Sequence, residues 1–333
     1  MRTLVLGYAE VQKLLDFPGL VPAMRTALED LSAGKVVLPP RQMLEHPTYP
    51  GLIAWMPALA AGGGLFGGKV ISVYPENRRQ GRQSHQGAVL LFAPEDGQLA
   101  AILDADAVTA ARTAAVSAAA TEILARPEAR VLALLGSGAL AETHLPAMLA
   151  VRPIREVRVW SPTPGHAESF VRRMREQVPC VLRSAAAAQE AIEGADVVCT
   201  LTAARQPVLS RSWVAAGAHV NAVGAATPGF REIDSETMAV SRVFVDAREH
   251  CLREADDLRV PLAAGQVREP DIAEIGEAFA GRREGRMSRK DLTLFKSVGL
   301  AMEDLAAAAY CVQRAKAAGI GTWLEFSGEQ VSR

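Results

Sequence analysis

The stretch that decides the fold runs from Val131 to Ala141 and reads VLALLGSGALA. Five apolar residues predict a buried strand, and helical sequence continues from Glu142, so the intervening G-x-G-x-x-A lies between a strand and a helix. In that setting it is typical of a dinucleotide-binding turn, in which the first glycine permits the tight turn and the second lets the backbone approach a pyrophosphate. The helix N-terminus offers backbone N–H groups to the phosphates. The alternative is a turn of small residues without a binding role, in an ordinary α/β protein. We expect cofactor contacts at Gly136, Gly138, Ala139 and Leu140.

The segments on either side of this stretch have different patterns. After residue 126, short β-branched runs alternate with helical sequence, which is typical of βαβ units and a parallel sheet. Before it, short strands are separated by Gly and Pro clusters, including a hairpin over 92–99, and a long Ala-rich helix follows over 106–125. We predict another long helix over 291–318, closed by Gly319. The predicted strands are 51–56, 69–73, 88–92, 99–103, 130–135, 156–160, 196–200, 219–223 and 242–245.

A second glycine-rich stretch, GGGLFGGK over 62–69, has the spacing of a phosphate-binding loop when it is taken from Gly63. Such a loop needs Ser or Thr after its lysine and a helix after that. Here Val70 follows Lys69, and the next residues predict a strand that ends at Pro75. We therefore interpret the glycines as a flexible lead-in and Lys69 as the start of a strand.

The composition excludes several classes of protein. The 333 residues are 49% hydrophobic and 22% charged, with a formal net charge of −1, which indicates a globular chain and no field that would attract nucleic acid or an anionic membrane. The four cysteines are scattered, so we expect reduced thiols and no metal site. No signal peptide or membrane span is apparent. We expect a soluble, cytoplasmic protein.

The choice of cofactor depends on the end of the second strand of the dinucleotide unit. An Asp or Glu there would bind the adenosine ribose of NAD. This chain has Trp160-Ser161-Pro162-Thr163 instead, and the hydroxyls of Ser161 and Thr163 can donate hydrogen bonds to a 2′-phosphate. NADP(H) is therefore favoured, and NAD(H) is the alternative.

Over nearly its whole length the chain resembles the ornithine cyclodeaminase/μ-crystallin family. The resemblance rests on several tags in order, which together are specific. They are Pro39-Pro40-Arg41, Gly68-Lys69, Tyr74-Pro75-Glu76-Asn77, His85-Gln86-Gly87, Thr109 to Ala115, the fingerprint, Asn221 to Ala225 and Leu294 to Gly299.

The resemblance implies an α/β protein of two domains, a nicotinamide cofactor and an α-amino or α-imino acid substrate. Residues 1–120 with 310–333 would form a substrate-binding and dimerisation domain of α+β type, and residues 121–309 a Rossmann domain. Arg41, Lys69 and Arg112 would face the substrate, and His85 is ambiguous between a substrate contact and a structural role. Thr113, Thr202, Val223, Gly224, Ala225 and Ser297 would lie along the cofactor.

The chemistry of these residue types agrees with the implied roles. Two arginines can hold an α-carboxylate in a fixed plane. A partly desolvated lysine among arginines has a lowered pKa, which suits proton transfer to a substrate nitrogen. The alternative for the arginines is ordinary salt bridging. We interpret His144, after the fingerprint, as a packing residue.

One position departs from the cyclodeaminase branch, which carries an aspartate two residues after the glycine where this chain has Ala226. Alanine cannot accept a proton, whereas the μ-crystallin branch, whose members reduce cyclic ketimines, lacks this acid too. We therefore predict an NAD(P)H-dependent reductase of Δ1-pyrroline-2-carboxylate or Δ1-piperideine-2-carboxylate, giving proline or pipecolate. Lys69 would be the catalytic residue, as the proton donor or the hydrogen-bond partner of the imine. Ornithine cyclodeaminase, with Glu232 or Asp234 replacing the missing acid, an alanine dehydrogenase-like enzyme and a non-catalytic NADP(H)-binding protein are the alternatives.

Overall fold

The computed structural model describes residues 2–61 and 64–326, without the side chains of residues 78 and 79. Its contacts divide the chain into two compact units, one from residues 1–112 with 300–333 and the other from residues 113–299. The boundaries expected from the sequence are 120/121 and 309/310, which lie within the helices Ala105–Leu124 and Ala301–Ala318. The contacts divide the chain earlier, at 112/113 and 299/300. Gly62 and Gly63 of the predicted flexible lead-in lie outside the described residues.

The first unit is built on a mixed eight-stranded sheet of order β16-β1-β7-β6-β5-β4-β2, in which β3 also pairs with β4. Only β1 and β7 run parallel, and the other neighbours are antiparallel. The strands are Arg2–Leu6 (β1), Val36–Val37 (β2), Gln42–Glu45 (β3), Leu52–Ala60 (β4), Phe66–Val73 (β5), His85–Phe92 (β6), Leu99–Asp104 (β7) and Thr322–Glu325 (β16).

The predicted features of this first unit are largely confirmed. β5 carries Lys69 in a strand, as predicted, and this excludes a phosphate-binding loop at that lysine. The hairpin between β6 and β7 turns at Gly97, whose φ of 74° favours glycine. The helices associated with this unit are Tyr8–Leu14 (α1), Phe17–Ser32 (α2), Ala105–Leu124 (α3), which continues past residue 112, and Ala301–Ala318 (α11).

Small side chains let α11 lie close to the sheet of the first unit. Its alanines from Ala306 to Ala308 are buried, and the helix packs against β4, β5 and β6. Gly319 ends the helix in the left-handed conformation, with φ of 64°. The N-terminal turn of α11 is therefore fixed over the strand that carries Lys69.

The second unit is a fully parallel eight-stranded sheet of order β10-β9-β8-β11-β12-β15-β13-β14. The strand order reverses between β8 and β11, which is the point where a Rossmann-type sheet binds dinucleotides. Its strands are Val131–Leu135 (β8), Glu156–Trp160 (β9), Val181–Ser184 (β10), Val197–Thr200 (β11), His219–Ala222 (β12), Arg242–Val245 (β13), Ala273–Glu274 (β14) and Thr293–Lys296 (β15). The helices are Ala139–Val151 (α4), His166–Met174 (α5), Ala188–Ile192 (α6), Ser235–Val240 (α7), Arg248–Glu254 (α8), Asp256–Ala263 (α9) and Ile275–Phe279 (α10).

The predicted helix over 291–318 is wrong in its first third. Thr293–Lys296 forms β15, a strand between β12 and β13 whose four residues are all buried, and the helix begins only at Ala301. Gly299, with φ of 77°, separates the two elements. A strand of only four residues close to an Ala-rich helix is hard to distinguish from the helix by periodicity.

The remaining sequence expectations concern cysteines and membranes. All four cysteines are free thiols, and three of them are buried. Along residues 2–61 and 64–326, every helix is too short or too polar to cross a membrane.

Candidate active site

Lys69 lies on β5 with its side chain almost fully buried. Its Nζ contacts Asp304 Oδ2 at 2.7 Å and donates to Thr109 Oγ1 at 3.2 Å. Burial lowers the pKa of Lys69, the charges of Arg112 and Arg41 also lower it, and Asp304 opposes them, so that the pKa is about 8. An ammonium with this pKa can give up a proton near neutral pH.

Arg112 is joined to the same acidic pair on α11. Its Nε donates to Asp304 Oδ1 at 2.8 Å and its Nη1 to Glu303 Oε2 at 2.7 Å, and all three side chains are buried. Burial alone would raise the pKa of Asp304, but the charges of Arg112 and Lys69 hold it below its usual value. Asp304 therefore bridges Lys69 and Arg112 as a carboxylate.

Arg41 and His85 complete the residues expected near the substrate. Arg41 is half-buried just before β3, and its charge reaches Lys69, whose pKa it helps to lower. His85 begins β6, and its Nδ1 lies 3.0 Å from Ser84 Oγ. The structure thus groups Arg41, Lys69 and Arg112 in one unit and leaves the role of His85 open.

Asp304 and Glu303 were missed by the sequence analysis. They are adjacent acids in the otherwise apolar run Leu300-Ala301-Met302-Glu303-Asp304-Leu305, directly after a family tag. Burying two charged side chains on an Ala-rich helix costs free energy unless each charge is paired. Two adjacent acids in an apolar helical run are therefore the sequence signal that could have identified Glu303 and Asp304 as site residues.

The fingerprint turn has the geometry that a dinucleotide phosphate requires. Gly136 has φ of 123°, and a Cβ there would lie 2.7 Å from Leu201 O, so only glycine fits. A Cβ at Gly138 would meet nothing within 4 Å, and the helix cap there has no side-chain hydrogen bond. Ala141 is fully buried between helix and sheet. The open space beside the N-terminus of α4 fits a phosphate group.

The other residues expected along the cofactor, apart from Thr113, follow neighbouring strands of the parallel sheet. Because carboxyl ends of parallel strands share one edge, these residues lie along that edge with the fingerprint. Thr163 N–H donates to Ser161 Oγ at 3.3 Å, and both residues lie in the loop after β9. Thr113 is buried in α3. The residues that follow β9, β11, β12 and β15 are Ser161 with Thr163, Thr202, Val223 to Ala225, and Ser297.

Neither proposed substitute for the acid missing at Ala226 is available as a base. Asp234 caps α7, accepting from the N–H of Thr237 and the N–H of Arg211. Glu232 is fully buried, and each of its oxygens accepts two hydrogen bonds. Both carboxylates hold backbone in place, which weakens the cyclodeaminase alternative.

His144 is fully buried between Ser117 Oγ, 3.0 Å from its Nε2, and Leu140 O, 2.7 Å from its Nδ1. Burial lowers the pKa of His144 to about 4. A neutral, fully bonded imidazole fits the packing role expected from the sequence. Within the described ranges, no group of three or more His, Cys, Asp and Glu side chains is placed to hold a metal ion.

A Rossmann-type unit with an open fingerprint turn, together with a unit that buries a lysine beside arginines, defines a dinucleotide-dependent class of protein. Residues 1–319 match the family model described as ornithine cyclodeaminase/mu-crystallin family. The chain therefore belongs to this family, as its sequence tags indicated.

Curated relatives and solved structures agree with this membership. The chain is 38% identical over 292 residues to the ketimine reductase mu-crystallin of Mus musculus, covering 87% of this chain and 90% of that protein. It is 35% identical to a Delta(1)-pyrroline-2-carboxylate reductase of Bacillus cereus, covering 97% of this chain and all of that protein.

Among solved structures, the Delta(1)-pyrroline-2-carboxylate reductase of Thermococcus litoralis, in complex with NADH and L-proline, matches with a TM-score of 0.92 and 34% identity. That match covers 96% of this chain and 99% of the other. An archaeal alanine dehydrogenase dimer with bound NAD matches with a TM-score of 0.91 and 31% identity, covering 98% of this chain and all of the other. The predicted fold class, an α/β protein with a Rossmann-type domain, is confirmed.

Proposed function

We propose that this protein is an NAD(P)H-dependent reductase of cyclic ketimino acids, with Δ1-pyrroline-2-carboxylate or Δ1-piperideine-2-carboxylate as substrate and proline or pipecolate as product. The observation that carries the proposal is the buried Lys69, with a pKa of about 8, held between Asp304 and the arginines. Relatives that act on such imines, at 35–38% identity, support it.

The first unit supplies the groups that imine reduction needs. Arg41 and Arg112 would bind the substrate carboxylate, since a guanidinium can bind a carboxylate through two parallel N–H donors. Lys69 would donate a proton to the imine nitrogen, which makes the adjacent carbon more electrophilic. A bound reduced nicotinamide supplies the hydride to that carbon. The C=N bond gains one proton and one hydride, and Lys69 then regains its proton from solvent.

The charges of the site fit a small monocarboxylate. Lys69, Arg112 and Arg41 carry three positive charges against the two negative charges of Glu303 and Asp304. The excess of one positive charge matches one substrate carboxylate and leaves the proton of Lys69 for the imine nitrogen. Asp304 remains ionised throughout and keeps Lys69 aligned.

The proposed cofactor is NADP(H), because Ser161 and Thr163 are hydroxyl residues where an acid would exclude a 2′-phosphate. Thr163 is exposed and Ser161 half-buried in the loop after β9, where a Rossmann-type unit would bind the adenosine ribose. NADH is the cofactor named for the Thermococcus litoralis protein, so the two cofactors need direct comparison.

We also propose a cytoplasmic homodimer that binds neither nucleic acid nor membrane. Apolar side chains are exposed on β3, β4 and β5 of the first unit, a distribution that favours association. Those with more than a third of their surface exposed are Met43, Leu44, Ile53, Leu59 and Phe66.

The decisive assay follows oxidation of NADPH and NADH by the purified protein with each cyclic imine. We expect turnover that requires the imine. Ammonia release from ornithine without imine reduction would instead establish the cyclodeaminase. Lys69→Ala tests the alternative of a non-catalytic binding protein and the role of the lysine, since unchanged turnover would show that the assigned role is wrong.

A further inference from the structure

Glu232 joins the two loops that follow the central strands β11 and β12. Its Oε1 accepts from Thr202 N at 2.6 Å and Thr202 Oγ1 at 2.7 Å, and its Oε2 accepts from Thr200 Oγ1 at 2.9 Å and Ala225 N at 3.1 Å. One backbone N–H therefore reaches each oxygen, an arrangement that favours the ionised carboxylate. Burial raises the pKa of Glu232, and the Lys296 charge opposes that rise.

Lys296 and Asp257 bind the segment that follows β12. Lys296 Nζ donates to Ala225 O at 2.6 Å and to Asp257 Oδ2 at 3.0 Å. Asp257 Oδ1 accepts from the N–H groups of Glu232 and Ile233. The peptide groups of Ala225 are thus bound through both N–H and C=O, one to a carboxylate and one to an ammonium.

The loops themselves are in close contact at Gly224. A Cβ on that residue would lie 2.2 Å from Thr202 O, 2.4 Å from Thr202 N and 2.8 Å from Glu232 Oε1. All three charged side chains, Glu232, Asp257 and Lys296, are fully buried. Two carboxylates and one ammonium leave a net charge of −1 beside these loops.

On the basis of the function proposed above, and of the sequence expectation that Thr202 and residues 223–225 lie along the cofactor, we propose that Glu232 is a positioning residue whose negative charge selects the oxidised nicotinamide. The oxidised ring carries a positive charge that the reduced ring lacks. A buried negative charge near it stabilises the oxidised form and so makes the bound reduced cofactor a stronger hydride donor. Glu232 thus fixes the loops and sets the balance between the two forms, and takes no proton from the substrate.

The test compares dissociation constants of NADP⁺ and NADPH, measured by calorimetry and by cofactor fluorescence, for the wild type and Glu232→Gln. A single buried charge near a charged ligand, in a medium of intermediate polarity, changes its binding constant by roughly tenfold. We therefore expect Glu232→Gln to weaken NADP⁺ binding roughly tenfold more than NADPH binding. Glu274→Gln is the matched control, since its carboxylate accepts from the N–H of Arg248 at the far edge of the sheet, and both constants should stay unchanged.

A second variant gives a change of opposite sign. Lys296→Gln removes the positive charge and keeps an amide that can donate, so the ratio should move toward tighter NADP⁺ binding. General damage to the loops would weaken both forms in both variants, and equal losses or no loss in Glu232→Gln would overturn the proposal. A folded wild type that binds neither form would instead overturn the proposed function itself.

Discussion

Asp304→Asn is the substitution that most sharply tests the role of Lys69. Asparagine keeps an oxygen for Arg112 Nε, and it replaces the oxygen that meets Lys69 Nζ with an uncharged amide. Asp304 raises the pKa of Lys69 against burial and the two arginines, so its loss should lower that pKa below about 8. The variant should then have less protonated Lys69 at neutral pH.

The contact between Asp304 and Lys69 sets the size of the expected decrease in the pKa of Lys69. An opposite charge at this distance typically moves a pKa by about 1 to 3. A decrease of about 1.5 from about 8 would lower the protonated fraction of Lys69 at about pH 7.5 from roughly three quarters to roughly one tenth. We expect kcat/KM for imine reduction to fall several-fold at that pH and to recover on acidification by about the same 1.5 pH units.

The assay is a pH profile of kcat/KM for the cyclic imine, with circular dichroism to establish folding. Glu303→Gln is the control, because Glu303 pairs with Arg112 and lies in the same helical turn. It should raise KM without an acidic displacement of the profile. A folded Asp304→Asn enzyme with the wild-type profile would refute the assignment of Lys69 as the titrating proton donor.

Four further predictions concern the wild type, the fingerprint turn and the loop after β9. Imine reduction by the wild type should decline above about pH 8, because neutral Lys69 has no proton to give, while proline oxidation should rise over the same range; a flat profile in both directions would count against this. Gly138→Ala should fold with an unchanged melting temperature and bind NADPH at least about tenfold more weakly, because its Cβ enters open space beside the phosphate site. Gly136→Ala should lower the melting temperature as well, because its Cβ meets Leu201 O; equal stability of the two variants would contradict the geometry. Ser161→Asp should lower the NADPH-to-NADH ratio of kcat/KM by about tenfold or more through repulsion of the 2′-phosphate, and an unchanged ratio would remove the basis for the NADP preference.

The parallel sheet was predictable because its signals are local. Each buried strand from Val131 to Val245 that the sequence analysis identified is a short β-branched run, and the fingerprint lies in the strand–turn–helix setting that it requires. β15 was not predicted because Thr293–Lys296 is short and continues into an Ala-rich helical segment. Its strand conformation comes from pairing with β12 and β13, which are distant in sequence.

The candidate site was predictable only in part, for a related reason. Lys69 and Arg112 belong to family tags, whereas their partner Asp304 lies about 190 residues after Arg112 and meets it only through the packing of α11. Glu232 was expected as a substitute base because it follows the position of the missing acid. Its carboxylate accepts four hydrogen bonds, which give it a structural role. The donors lie on strands and loops whose proximity cannot be inferred from sequence periodicity.

The most direct test of the central claim is the rate of NADPH and NADH oxidation by the wild type and Lys69→Ala with five- and six-membered cyclic imino acids. The wild type should oxidise the cofactor only when an imine is present, and the folded variant should lose at least about 100-fold in kcat/KM, the lower range of general acid catalysis. Equal rates for the two proteins would contradict the role of Lys69. No oxidation with either imine or cofactor would contradict the reductase.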